Sequence, residues 1–325
     1  MIKYLQILFL ILISSIGLYY AFDDIEFSEI FHHFASLDII KFTLSIIILM
    51  FACIIRAKRL KYIISPLDDN ITTHHLFGAT MIGYFGNGIL FFRLGELLKA
   101  YSISQGNNIK TSESFGVIML ERVIDALTVL FLLLCALPFF PFENQTFRYW
   151  IIAFCLVTMV FVVLLVLMRF IDWKSLINSF SFLSESTGTK TIDVIFKVYD
   201  GVGLIFKTNY PLRILFSTII IWVCYFLMTK WLLESCGILL DLHEVFIMLL
   251  MGAIIVSVPA LPGGLGTYEA GMTYALSFLF FVSKDLALTY AIISHASNYV
   301  PYVLVGSIYF LKSGIKISSV KKGPA

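Results

Sequence analysis

Charge is scarce in this chain. Only 14% of its 325 residues are Asp, Glu, Lys or Arg, and 59% are hydrophobic. The mean hydropathy of +0.93 is well beyond what filling a single core requires, which excludes an ordinary soluble domain and predicts an integral membrane protein. The 23 basic residues nearly balance the 21 acidic ones, so a nucleic-acid partner is excluded. Cysteine is equally uninformative as a framework. The five, Cys53, Cys135, Cys155, Cys224 and Cys236, form no C-x-x-C pair. That argues against disulfides and structural zinc, and four of them read as small core hydrophobes, Cys236 being left unassigned. Soluble-enzyme motifs are missing too: there is no H-E-x-x-H, no P-loop, no G-x-S-x-G and no aspartate-rich pair for metal-diphosphate substrates. No metal and no cofactor is therefore expected. The first apolar run, Tyr4 to Phe22, lacks a small-residue cleavage site after it, so a retained helix is expected rather than a removed signal.

Long apolar runs are what the chain does have. A membrane crossing takes roughly 20 apolar residues. Tyr4 to Phe22, Ile39 to Ile55, Ile124 to Phe140, Tyr149 to Phe170, Ile214 to Leu233 and Leu286 to Leu311 read as six full spans. Two further apolar segments are interrupted: Leu76 to Phe92, running into "RLGELLKAY", and Val245 to Phe281, broken by "VPALPGGLGTYEAG". Read as re-entrant broken-helix hairpins, they place every basic residue except Lys41, Arg148, Lys230 and Lys284 on one side. The positive-inside rule then makes that side cytoplasmic, with both termini on it. Acids such as Asp23, Glu26, Asp38, Asp241 and Glu244 collect opposite.

The expected architecture is an all-α polytopic membrane protein, one transmembrane unit over 1–325. Its parts are a first span and outer loop (1–38), a first repeat (39–140), a linking span and cytoplasmic loop with an interfacial helix (141–212), a second repeat (213–312) and a basic tail (313–325). The repeats share the order span, interrupted segment, span. They enter from opposite sides, which predicts an inverted pair, an arrangement of transporters whose sites lie where broken helices meet.

Non-helical backbone at membrane depth survives only inside protein or against a wet cavity. In the second break, Pro262 is expected to stop the incoming helix, Gly263 and Gly264 to permit positive φ, and a new half-helix to start near Gly266 with its amides free for an anion. A simple Pro-Gly kink is the plainer alternative. Glu269 falls in the first turn of that half-helix, either as a cap or as a proton carrier or cation partner. In the first break, Arg93 is suited to a phosphate with Glu96 neutralising it at rest, and Asn87 adds a neutral donor and acceptor. An interfacial Arg-Glu pair would explain the same residues. Glu121, Arg122 and Asp125 cluster at the mouth of a span and should face inward, with Arg122 pairing to Asp125 or Glu96; structural and ligand roles stay open. His295, Asn298 and Tyr299 form a weaker set, read as interhelical hydrogen bonds.

Taken together these motifs resemble the lysylphosphatidylglycerol synthase transmembrane-region family, whose members are also called flippase-like domain proteins. The resemblance rests on R-x-x-R-L at Arg56 to Leu60, Asn87 with R-L-G-E at Arg93 to Glu96, E-R-x-x-D at Glu121 to Asp125, and P-G-G-x-G-x-x-E at Pro262 to Glu269. Phe91 and Phe92 stand where the family often has a proline before that Arg. The resemblance implies an inner-membrane protein that moves a phospholipid or lipid-linked head group between leaflets. No aminoacyl-transferase domain is present in these residues. The alternatives are a membrane-embedded enzyme with Glu96 or Glu269 as general base, and a non-transporting partner of a lipid-biosynthesis complex; a homo-oligomer is compatible with all three.

Overall fold

The computed structural model describes residues 2–23, 25–140, 203–258 and 261–315, with a few positions between 149 and 163, and these are helical with no strand among them. The helices are α1 (Ile2–Phe22), α2 (Phe27–Ala35), α3 (Ile39–Ile64), α4 (Thr73–Ile89), α5 (Gly95–Ser104), α6 (Thr111–Ala136), α7 (Pro211–Ser235), α8 (Leu242–Ser257), α9 (Thr267–Phe280) and α10 (Lys284–Ser313). Short 3₁₀ turns at Phe91–Arg93 and Pro262–Gly264 join α4 to α5 and α8 to α9. The span expected over Tyr149 to Phe170 and the interfacial helix of the cytoplasmic loop lie largely outside the described residues.

Helix starts are encoded locally. The carboxylate of Asp38 accepts from the amides of Ile40 and Lys41 at 3.0 and 3.1 Å, and the Thr72 hydroxyl accepts from His75. At the starts of α6, α8 and α9 a glutamate three residues in turns back to the entry amide. These are Glu113 to Lys110 at 2.9 Å, Glu244 to Asp241 at 2.8 Å and Glu269 to Gly266 at 2.7 Å.

Among the described residues two helices, α3 and α7, are long and apolar enough to cross a membrane, with mean hydropathies of 2.3 and 1.9 over their best windows. The outward stripes match. Ile40, Leu44, Ile47, Phe51 and Ile54 on α3, and Leu212, Leu215, Phe216, Ile219, Ile220 and Val223 on α7, recur at helical spacing and are exposed. A stripe of that length needs a lipid solvent rather than water. The inside is where the polar groups went.

Tertiary contacts define two ends of the bundle. At one end the close of α3 meets the start of α7 through the Thr208 hydroxyl donating to the Tyr62 carbonyl. At the other, the Asp38 amide donates to the carbonyl of Ser235. Helices α3 and α7 are therefore antiparallel neighbours. The segment α4–α5 is a helical hairpin, since His75 near the start of α4 reaches the carbonyls of Ser102 and Ile103 near the end of α5. Helices α8 and α9 also fold back, with Ile255 packed on Gly271 and Met272 on Gly252. Corresponding contacts repeat between the two halves: α10 packs on α4 as α6 packs on α8, and α5 on α6 as α9 on α10.

Several sequence expectations need correction in detail. The span beginning at Ile39 continues nine residues further, to Ile64, carrying Arg56 and Arg59 into the interior, because these side chains find carboxylates there. The span expected from Ile124 begins instead at Thr111 and ends at Ala136, since its charged residues are also helical and inward. Helix α8 ends at Ser257, ahead of Pro262, which opens the 3₁₀ turn rather than stopping the helix. Of the cysteines, Cys53, Cys155 and Cys224 are buried, but Cys135 is exposed on the apolar outer face.

Candidate functional site

Arg56 and Arg59, one turn apart on α3, converge with Glu121 and Asp125, one turn apart on α6. The spacing puts each pair on one helix face, so the two faces mesh. Arg56 Nη2 lies 2.6 Å from Asp125 Oδ2, and Arg59 Nη2 lies 2.7 Å from Asp125 Oδ1. Glu121 Oε1 lies 3.4 Å from Arg59 and 3.6 Å from Arg56. Lys99 on α5 closes the group, with Nζ 2.6 Å from Glu121 Oε2. Neutral partners complete it: Arg59 donates to the Thr218 hydroxyl on α7 and Arg56 to the Tyr84 hydroxyl on α4, each at 3.2 Å. The Tyr84 ring stacks on Tyr302 of α10 at 4.2 Å. Glu121 and Arg59 are fully buried. Charges so deep persist only when paired and hydrogen-bonded, and each here has at least one ionic partner.

Arg122 differs from the others. Its guanidinium sits 3.6 Å from Glu121 and 3.8 Å from Asp125, beyond hydrogen-bond length, and its side chain is 38% exposed. The expected Arg122–Asp125 pairing is thus present as a loose ion pair. The carboxylate of Glu96 also lies within electrostatic reach of Arg122.

The first break turns on non-glycine residues in the left-handed region, Phe92 at φ 60° and Arg93 at φ 52°. Glu96 does not hold Arg93 by a salt bridge. Instead the Arg93 guanidinium donates to the Val256 carbonyl at the end of α8, where free carbonyls and the negative dipole end attract a cation. Glu96 accepts from the Asn87 amide at 3.4 Å. Behind them, Gly95 is pressed so closely against α4 that an added Cβ would lie 2.1 Å from the Gly83 carbonyl.

The second break is glycine-built, with Gly263, Gly264 and Gly266 at φ 74°, 84° and 85°. Helix α9 begins at Thr267 with Gly266 as its cap, and Glu269 bonds the Gly266 amide, the capping role being one of the two the sequence left open. Glu269 does more than cap. Its second oxygen lies 2.5 Å from His295 Nδ1, while His295 Nε2 lies 2.9 Å from the Gly263 carbonyl. A carbonyl only accepts, so Nε2 carries hydrogen in that contact; the Nδ1 to carboxyl link then holds one further proton, on either partner. Tyr299 joins the breaks: its hydroxyl donates to the Gly88 carbonyl at 3.3 Å, and a Cβ on Gly263 would lie 2.6 Å from its ring. Asn298 bonds within its own helix, to Ser294, rather than across helices. The sequence-derived residues thus fall into two neighbouring groups. Glu121, Arg122 and Asp125 form the charged network, and Asn87, Arg93, Glu96, Pro262, Gly263, Gly264, Gly266, Glu269, His295 and Tyr299 line the joined breaks.

Arg56, Arg59 and Lys99 belong to the network, yet composition had placed them among the basic residues of a loop side. A usable signal was present, since Arg56 and Arg59 at i and i+3 complement Glu121 and Asp125 at i and i+4.

A family model described as Lysylphosphatidylglycerol synthase TM region matches residues 7–306. No curated protein and no solved structure matches the chain. Family and apolar helices together point to an all-helical membrane protein related to lipid handling.

Proposed function

Because this chain belongs to the lysylphosphatidylglycerol synthase TM region family, we propose that it translocates an anionic, phosphate-bearing lipid between leaflets of the inner membrane. The observation that carries this reading is the meeting of two broken helices, joined by Tyr299 and Arg93, beside a buried charged network. Such breaks give a head group backbone dipoles and charges at a depth where lipid offers neither. In this reading α4–α5 and α8–α9 are re-entrant hairpins and the repeats are inverted. Support comes from the corresponding helices α3 and α7, which run antiparallel as an axis in the membrane plane requires. The end that carries Lys61, Lys110, Lys207 and Lys312 is the cytoplasmic one.

The head group enters beside the breaks, engages Arg122 and the network, and crosses as the two halves shift, while acyl chains stay in lipid. Arg93 and Tyr299 tie one half to the other and so set how far they move. Neither Glu96 nor Glu269 serves as a catalytic base here. Glu269 has one oxygen on the Gly266 amide and the other on His295, which describes a latch on the turn.

Proteoliposomes carrying fluorescent phosphatidylglycerol or, in parallel, fluorescent phosphatidic acid, quenched from outside by dithionite, provide the test. The parent protein should expose inner-leaflet lipid to quenching, and Tyr299→Ala should slow that exposure several-fold. A parent rate no greater than that of protein-free liposomes for either lipid would rule the reading out.

A further inference from the structure

In the network around Glu121, four cations, Arg56, Arg59, Lys99 and Arg122, share two carboxylates, Glu121 and Asp125. The next charges in reach, Arg93 and Glu96 of the first break, are one of each sign and cancel. Among the described residues the cluster therefore carries a net surplus of two positive charges. Hydrogen bonding shows the same shortage independently. The buried Nε atoms of Arg56, Arg59 and Arg122 have no acceptor, and among the described residues Arg122 donates no hydrogen bond. A buried group lacking both negative charge and acceptor oxygens is incomplete as it stands.

We propose that the missing component is a phosphomonoester dianion held through the guanidinium fork of Arg122. Such a group carries about two negative charges at neutral pH and three strong acceptor oxygens, which matches the charge surplus and supplies acceptors to Arg122. A phosphodiester carries one negative charge and leaves one cation unmatched. Arg122 is the residue placed to receive it, being partly exposed and loosely paired, while Arg59 is fully enclosed and Lys99 nearly so. The fork is what matters, because a planar guanidinium meets two phosphate oxygens at once and an ammonium does not. This inference rests on the translocase reading for its lipid, and it narrows that lipid to one with a terminal phosphate. Free phosphate offers the same chemistry, so the test separates the two sources.

Purified full-length protein in neutral detergent is titrated with phosphatidic acid, phosphatidylglycerol and inorganic phosphate, with bound species read by native mass spectrometry. Phosphatidic acid should bind on the order of tenfold more tightly than phosphatidylglycerol, the scale of one unmatched charge pair at partly buried depth. Competition by inorganic phosphate assigns the site to the free ion, and its failure to compete assigns it to the lipid; both outcomes uphold the dianion. In Arg122→Gln the surplus falls to one, so the preference should collapse toward unity. Arg122→Lys should retain part of it, which guards against a variant that merely fails to fold. Equal binding of the two lipids by the parent overturns the proposal whatever the variants do. The two readings fail separately. Preference for phosphatidic acid without lipid movement in liposomes removes the translocase and leaves the site, and movement without preference does the reverse.

Discussion

At the residue scale the molecule trades surface charge for interior charge. Glu269 illustrates how a single position carries two duties, closing the first turn of α9 and holding His295 against the Gly263 carbonyl. The hydrogen-bond inventory makes a sharp prediction. Glu269→Gln keeps an acceptor for the Gly266 amide and offers an amide N–H to Nδ1 of a neutral histidine, so the link survives. Glu269→Ala leaves both partners bare at a buried position and should cost about 1–3 kcal/mol. Thermal unfolding in detergent should therefore rank the Gln variant close to the parent and the Ala variant well below it. A Gln variant as unstable as the Ala variant would mean that the link requires the charged carboxylate. Glu269's place in a first turn was readable from "GLGTYEAG"; its partner His295 was not, because nothing local relates residues 26 positions apart.

At the element scale the two breaks reach a similar reversal by different chemistry. Gly263, Gly264 and Gly266 take positive φ freely, whereas Phe92 and Arg93 take it at a cost of about 1–2 kcal/mol each. Phe92 is 44% exposed, so replacing it by glycine removes strain and little packing. Phe92→Gly should hold or raise the unfolding temperature. Gly263→Ala should lower it, since the new methyl group meets the Tyr299 ring and φ stays at 74°. Gly95→Ala should be the most damaging of the three, by about 1–3 kcal/mol or more, because the neighbour at 2.1 Å is backbone and cannot rotate away. Both interruptions were legible in sequence, the second from its prolines and glycines and the first only from "RLGE". The left-handed turn at Phe92 had no signal, as no residue type there favours it.

At the scale of the whole molecule, the proposed topology turns on whether the α4–α5 and α8–α9 hairpins return to the membrane side they left. Single cysteines placed at Asp69 and Asn107, in a background stripped of native cysteine, should react with an impermeant maleimide from the same side of the membrane, since the α4–α5 hairpin lies between them. Cysteines at Leu239 and Phe281, which flank α8–α9, should both react from the opposite side; these two positions are 81% and 82% exposed. Labelling of Asp69 and Asn107 from opposite sides would show that the first hairpin crosses the membrane.

The sequence alone determined the solvent, because a chain that is 59% hydrophobic and carries repeated apolar runs of about membrane-crossing length has no stable arrangement in water. It also marked the two breaks and the start of α9 at Gly266, since prolines, glycines and a first-turn glutamate act within a turn of themselves, whereas the start of α6 and the ends of α3 and α8 fell elsewhere than it indicated. Only the tertiary structure decided that Arg56, Arg59 and Lys99 are interior rather than loop charges, and that Arg93 reaches the other half of the chain. The reason is physical: a basic residue reads the same beside a membrane as inside a protein until a carboxylate from a distant helix is brought within reach, and that proximity exists only in the folded chain.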